Sequence, residues 1–194
     1  LNKSVMGEHA GFLFFYIMRE LYKHAMVDLD QINRTLVAIE EEIFEGKEGQ
    51  MVEVISNANR KIVDFKQAIR FHDEVLKSFE VAGSEFFGKE FAYYLRGIIG
   101  EYNKVQNTLE GHKEILKDLR ETNDSLLSNK TNESMRTLTV MNFVIMPLTL
   151  IAGIFGMNAT FMFIHDLGDF FTIVACMLII GILMFIYFRK KRWI

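Results

Sequence analysis

Apolar residues between positions 91 and 126 recur at alternating steps of four and three. This average spacing of 3.5 residues is typical of a coiled-coil helix whose apolar face packs along a neighbouring helix. The face consists of nine apolar residues and two polar ones: Phe91, Leu95, Ile98, Tyr102, Val105, Leu109, His112, Leu116, Leu119, Asn123 and Leu126. Polar residues on such a face more often fix the register than bind a ligand, which is our interpretation of these two.

Upstream of this helix the pattern is also helical, without the alternation of a strand. We predict one helix over residues 5–44, a turn marked by Gly46 and Gly49, and a second helix over residues 51–81. Gly83 and Ser84 predict the next break, with Ser84 as a possible N-cap. The predicted fold is therefore all-α, with a cytoplasmic helical hairpin over 1–83 and a stalk helix over 84–137.

Two uncharged segments follow the stalk helix. Residues 138–157 contain twenty consecutive uncharged residues and residues 170–188 contain nineteen. A helix needs roughly 20 apolar residues to cross the hydrocarbon core. We predict that both segments span the membrane, with an outer connector over 158–169 and a basic tail over 189–194, and that the stalk helix continues directly into the first span.

Charge separates the same two parts of the chain. Residues 1–137 carry 18 Lys and Arg against 23 Asp and Glu, whereas residues 138–194 carry 4 and 2. The acidic first part argues against a nucleic-acid partner. The four basic residues over 189–192 follow the second span, while the connector has none, so the positive-inside rule predicts that both termini are cytoplasmic.

A polar stripe follows one side of the first predicted span. Its members are spaced by three or four residues and end beside Asn158: Asn132, Met135, Leu138 or Thr139, Asn142, Met146, Thr149, Gly153 and Gly156. Polar residues at membrane depth usually face a bundle interior or water. Hydrogen bonds that merely hold helices together are the alternative.

Motifs for catalysis are not found in the sequence. It lacks the nucleophile elbow, the zinc-binding His-Glu-x-x-His, a phosphate-binding glycine loop and any paired cysteines, Cys176 being the only cysteine. We therefore do not expect an enzyme.

Three stretches carry a resemblance to a known family. They are Ser128 to Met135, the segment from Pro147 that ends in Gly156-Met157-Asn158, and the terminal Tyr187 to Trp193. Together they resemble the CorA family of divalent-cation channels, whose hallmark is Gly-Met-Asn closing the first span. The resemblance begins at the family's helical stalk, and members also have an N-terminal α/β domain. We therefore expect that this sequence is part of a longer chain.

The resemblance implies a homopentamer in the cell inner membrane that transports Mg²⁺, with the first spans around a central pore. Gly156, Met157 and Asn158 would form the selectivity filter, where Asn158 contacts the ion through its bound water. The implied gate positions are Met135, Leu138, Asn142 and Met146, and the implied pore lining is Asn132, Thr149 and Gly153. The partners would be other copies of the chain, divalent cations and membrane lipid.

Two positions depart from the family pattern. Asn142 stands where we expect a small apolar residue. The stalk carboxylate that holds regulatory Mg²⁺ between subunits is not found, because the corresponding stretch from Arg96 to Gly100 has no acid. Glu121 matches a lower stalk acid and is only a weak metal candidate.

Alternatives to magnesium transport stay open at this stage. A ring of amides recognises a hydrated dication without naming the metal, so Zn²⁺, Co²⁺ or Ni²⁺ are possible cargoes of the same architecture. A membrane-tethered helical scaffold, in which the stalk oligomerises and the spans only anchor it, is the candidate from another class.

Overall fold

The computed structural model describes residues 10–156 and 167–191. Within these ranges the chain is helical and contains no strand, so the all-α prediction is confirmed. Five α-helices follow in order, with one short 3₁₀ turn over Lys89–Phe91 between the third and the fourth: α1 Ala10–Phe44, α2 Glu48–Ile69, α3 His72–Phe87, α4 Ala92–Gly156 and α5 Leu167–Lys190.

The chain divides into two compact units after Leu127. The first contains α1, α2, α3 and the N-terminal part of α4. The second contains the remainder of α4 together with α5. As predicted, α4 is one uninterrupted helix that begins in the first unit and contains the first apolar span.

The predicted apolar face of α4 lies in the core of the first unit. Ten of its eleven members are buried and Leu126 packs partly buried against the same core. The partners belong to the same chain: the Phe12 ring of α1 lies edge-on to Phe91 with ring centroids 5.5 Å apart, and the Tyr22 and Tyr102 ring centroids are 6.0 Å apart. This face of α4 is therefore covered by the chain's own helices.

The two polar members of this face are buried without hydrogen bonds at one atom each. His112 is 8% exposed and Asn123 is 1% exposed, and His112 Nδ1 and Asn123 Oδ1 have no hydrogen-bond partner among the described residues. Burial lowers the pKa of His112, which keeps its imidazole neutral at pH 7. Buried polar atoms without a partner lower stability, and the register role expected for these two residues stays a prediction.

A polar contact joins two helices of the first unit. The Tyr22 hydroxyl on α1 and His72 Nδ1 at the start of α3 are 3.0 Å apart, within hydrogen-bond distance. Burial raises the pKa of Tyr22 to about 12, so its hydroxyl stays protonated. The predicted second helix is interrupted here, because α2 ends at Ile69 and α3 begins at His72. No glycine or proline lies at this interruption, so the sequence carried no signal for it.

The first turn is where the sequence placed it. Gly46 has a φ of 88°, and Gly46 N–H and Lys47 N–H donate to Ile43 O and Glu42 O. These are the two hydrogen bonds of a Schellman motif, which ends α1 with a left-handed glycine. Gly49, expected in the same turn, instead lies inside α2.

The predicted break at Gly83 and Ser84 is wrong. Both residues lie inside α3, and the Ser84 hydroxyl donates to Val81 O within the helix instead of capping a new one. Gly83 is buried, and a Cβ on it would lie 2.9 Å from Leu95 Cδ1 of α4. The glycine therefore permits close packing of α3 on α4. The break lies at Gly88, and the stalk helix begins at Ala92 and not near residue 84.

Gly88 is expected to be needed for its backbone conformation alone. It has φ 98° and ψ 156°, a region essentially restricted to glycine, and a Cβ there would meet nothing within 4 Å. We expect Gly88→Ala to lower the free energy of unfolding by about 1–3 kcal/mol. Thermal unfolding of the full chain in detergent, followed by circular dichroism, measures the change.

Gly49→Ala is the matched control for this prediction. Gly49 also has free space around a Cβ, but it lies in a helix, where alanine is favoured by up to about 1 kcal/mol. The two variants should therefore change the unfolding temperature in opposite directions. Equal changes would contradict the conformational role of Gly88.

The second unit contains two helices that are long and apolar enough to cross a membrane. They lie within Lys89–Gly156 and Phe171–Lys190, in agreement with the two segments predicted from the sequence. Within this unit the helices contact each other: the Phe143 and Phe188 rings are 6.4 Å apart, and a Cβ on Gly181 would lie 3.4 Å from Leu148 Cδ1.

Candidate functional site

One face of α4 in the second unit packs towards α5. The residues on it that are buried or half-buried recur every three or four positions: Thr137, Val140, Val144, Pro147, Leu148 and Ile151. Val140 is fully buried, and Leu148 lines an apolar cavity of about 420 Å³ together with six residues of α5, among them Gly181. These residues define the α5-facing side of the first span.

The predicted polar stripe lies on the other side of the same helix. All of its members are exposed in the single chain: Asn132, Met135, Leu138, Thr139, Asn142, Met146, Thr149, Gly153 and Gly156. At 3.6 residues per turn, the middle of the stripe is roughly 180° around the helix from the middle of the α5-facing side. Packing between α4 and α5 therefore leaves the whole stripe uncovered.

The polar groups of the stripe have few partners within the chain. The hydroxyls of Thr139 and Thr149 donate to Met135 O at 2.7 Å and Ile145 O at 3.0 Å, inside α4 itself. The amides of Asn132 and Asn142 have no hydrogen-bond partner in the part of the chain that the structure describes. An amide in hydrocarbon without a partner is costly, so Asn142, which lies within the predicted span, needs water or another protein chain.

The glycines of the stripe are not required by packing within the chain. A Cβ on Gly153 or Gly156 would meet nothing within 4 Å, whereas a Cβ on Gly181 of α5 would contact Leu148. Gly153 instead lies in a shallow hollow shared with Met146, Thr149, Leu150 and Ile154. Small residues here provide room on the exposed side, for a ligand or for close approach of another helix.

Some of the predicted site lies outside the described residues. Met157 and Asn158 of the predicted filter belong to this group, as does most of the outer connector over 158–169. The described helix reaches Gly156, the first residue of the filter. The positions of the filter side chains therefore stay a prediction from the sequence.

The weak metal candidate of the first unit, Glu121, is engaged in an ion pair. Glu121 is exposed and its carboxylate lies 3.7 Å from Lys117 Nζ on the same helix. Arg96, which stands where a stalk carboxylate was sought, has its Nε 3.1 Å from Glu80 Oε1 of α3. Among the described residues, no group of three or more His, Cys, Asp or Glu side chains could hold a metal ion.

The α5-facing side of the first span and its close contact at Gly181 were not predicted from the sequence. A signal for that side was present, because Thr137, Val140, Val144, Leu148 and Ile151 also recur at helical spacing. The polar stripe could be recognised by its polar side chains, whereas the α5-facing side has the same apolar composition as a surface that faces lipid. Only the contact with α5 distinguishes the two.

Comparison with known proteins gives a consistent result. Residues 8–190 match the family model described as CorA-like Mg2+ transporter protein. The chain is 31% identical over its whole length to the cobalt/magnesium transport protein CorA of Thermotoga maritima, and 22% identical over 99% of its length to that of Methanocaldococcus jannaschii. The chain spans 56% and 61% of the lengths of these two relatives.

A solved structure has the same fold. It is the CorA magnesium transporter from Methanocaldococcus jannaschii, which superposes with a TM-score of 0.84 at 21% sequence identity. The match covers 98% of this chain and 60% of that one.

Proposed function

This chain belongs to the CorA family of Mg²⁺ transporters, and on that basis we propose that it forms the stalk and membrane part of a pentameric channel for hydrated Mg²⁺. The observation that carries the proposal is the position of the polar stripe. It lies on the side of the first span opposite α5 and is uncovered in the single chain. Five first spans that meet along this stripe, with the second spans outside, would give every polar group of the stripe access to water.

The chemistry of an amide ring suits a hydrated dication. Mg²⁺ holds its six waters at about 2.0–2.1 Å and sheds them reluctantly. The Asn158 side chains, supported by Gly156 and Met157, would accept hydrogen bonds from these waters. An amide supplies a dipole but no full charge, so the ion is recognised and can still leave, as conduction requires.

The inner half of the stripe would form the gate. Met135, Leu138 and Met146 are large, exposed and apolar in the chain, and rings of such residues can stop ions by excluding water. The pore between the gate and the filter would be lined by Thr149 and Gly153, and Asn132 would lie at its inner end. The stripe's glycines would leave the outer half wider.

Transport would be driven by the membrane potential. In the proposed orientation both termini are cytoplasmic and the filter faces outward, in the cell inner membrane. The free energy of a doubly charged cation falls by about 4.6 kcal/mol when it crosses a membrane potential of 100 mV towards the negative side. Passive entry therefore needs no further energy source. A regulatory Mg²⁺ site is not part of the proposal, since Glu121 is paired with Lys117 and Arg96 with Glu80.

Reconstitution tests the proposal. We expect the purified chain to be a pentamer in detergent by native mass spectrometry, and to give Mg²⁺ uptake into vesicles that rises with an inside-negative potential. A monomer or dimer leaves no ring for Asn158 to form and would contradict the proposal. Competition by Co²⁺, Ni²⁺ and Zn²⁺ then identifies the preferred cargo, a question that the cobalt/magnesium name of the Thermotoga relative makes specific.

A further inference from the structure

The amide of Asn142 lies in the middle of the apolar gate positions. It is on the exposed stripe of α4, one turn from Leu138 on one side and one turn from Met146 on the other. Four residues of helix correspond to about 6 Å, so an amide separates two bulky apolar side chains along the same face. Gly156 lies fourteen residues further, about 21 Å along the helix.

Neither α5 nor α4 itself provides a hydrogen-bond partner for the Asn142 amide. The α5-facing side of the first span is roughly opposite, and the Asn142 side chain has no hydrogen-bond partner within the described residues. Its nearest polar neighbour on the stripe, Thr139, already donates its hydroxyl to Met135 O. An unpaired amide away from water is costly, and each further copy in a ring would add the same cost. The partners must therefore come from outside the chain.

Water satisfies these amides better than neighbouring copies do. Each amide has two donors and an acceptor, so a ring in which every copy donates to its neighbour would still leave one donor on each copy for water. We propose that Asn142 is a second station for hydrated cations, inside the gate, where its ring keeps water between the Leu138 and Met146 rings. This inference rests on the proposed function.

The consequence is a gate divided into two thin apolar barriers. Exclusion of water by an apolar constriction requires a continuous apolar wall. A ring of amides interrupts that wall, so a dication that keeps its waters can pause between the barriers. The ion then crosses each barrier separately, which lowers the highest free-energy barrier on its path through the gate.

Asn142→Leu tests this role because it removes the amide at similar size. We expect Mg²⁺ uptake to fall at least tenfold, while the Mg²⁺ concentration for half-maximal uptake, which is governed at the outer filter, changes less than twofold. The pentamer should persist. Met141→Leu is the matched control, since Met141 is exposed beside Asn142 but off the stripe, and its uptake should stay within twofold of the unmodified chain.

A labelling experiment measures the water directly and does not depend on transport. Met146→Cys is introduced in a chain whose own cysteine is changed by Cys176→Ser, and a water-soluble methanethiosulfonate is applied from the cytoplasmic side. Thiols react only where water reaches them. We expect the labelling rate of the new cysteine to fall at least tenfold when Asn142→Leu is added.

The outcomes separate the two proposals. A loss of labelling with Asn142→Leu supports the water-holding ring even if the unmodified chain transports no Mg²⁺, in which case only the proposed function falls. Unchanged labelling overturns the inference whatever the flux. Loss of the pentamer with unchanged labelling also overturns it, because the amide would then only join helices.

Discussion

Replacement of Asn158 by alanine is expected to reduce Mg²⁺ uptake into vesicles at least about 50-fold. The variant removes one water-accepting carbonyl from each copy. At about 0.5–1.5 kcal/mol for each hydrogen bond, five amides contribute at least about 2.5 kcal/mol to recognition of the hydrated ion. Because 1.4 kcal/mol corresponds to a factor of ten, this loss gives the expected reduction. A Mg²⁺-sensitive dye inside the vesicles measures initial rates.

We expect the Asn158→Ala substitution to affect only the recognition of the hydrated ion. None of the contacts described between α4 and α5 involves Asn158, which lies outside the described residues, so we expect the pentamer to persist in detergent. Asn129→Ala is the matched control, because Asn129 is an exposed amide of the same helix that lies off the stripe. We expect its uptake rate to equal that of the unmodified chain. Equal rates for both variants would remove the basis for an amide filter.

A second comparison separates recognition from simple loss of a polar group. Asn158→Asp keeps the size and adds a negative charge, which should bind the dication more firmly and slow its release. We expect a lower half-saturating Mg²⁺ concentration with a lower maximal rate. A variant that is faster at every concentration would contradict the requirement for weak binding.

The fold could be predicted well from the sequence where a residue pattern had a single physical explanation. The apolar face from Phe91 to Leu126 could be predicted because burial requires a continuous stripe, although the sequence did not indicate that α1 and the helices after it would cover it. Both spans were recognised because hydrocarbon thickness sets their length. The turn at Gly46 followed from the left-handed conformation that ends a helix.

The misplaced break before the stalk helix came from glycines with several possible functions, whereas the interruption after Ile69 involves no glycine. Gly83 resembles a helix breaker, yet it permits close contact with Leu95, and Gly88 makes the break. A sequence does not distinguish a glycine needed for space from one needed for its φ angle. The same ambiguity applies to the candidate site. The sequence indicated Gly153 and Gly156, but the absence of contacts around them appears only once α5 is in place.

Gly153→Leu is expected to abolish Mg²⁺ uptake, with a reduction of about 100-fold or more, without altering the chain's own packing. A Cβ at position 153 meets nothing within 4 Å, so the leucine side chain extends freely from the stripe. In a bundle of five copies these side chains would converge on the axis. They would narrow the pore and make its wall apolar, and an apolar constriction excludes water and with it a hydrated ion.

Ala175→Leu provides the matched control for this variant. Ala175 is exposed on α5 and lies outside the cavity between the two spans, so a larger side chain there faces lipid in the proposed arrangement. We expect uptake within twofold of the unmodified chain and the same pentamer for both variants. Normal uptake by Gly153→Leu, with the pentamer intact, would mean that the stripe faces lipid. In that case the polar residues of the first span have no route to the ion, and an axis lined by this helix has to be abandoned.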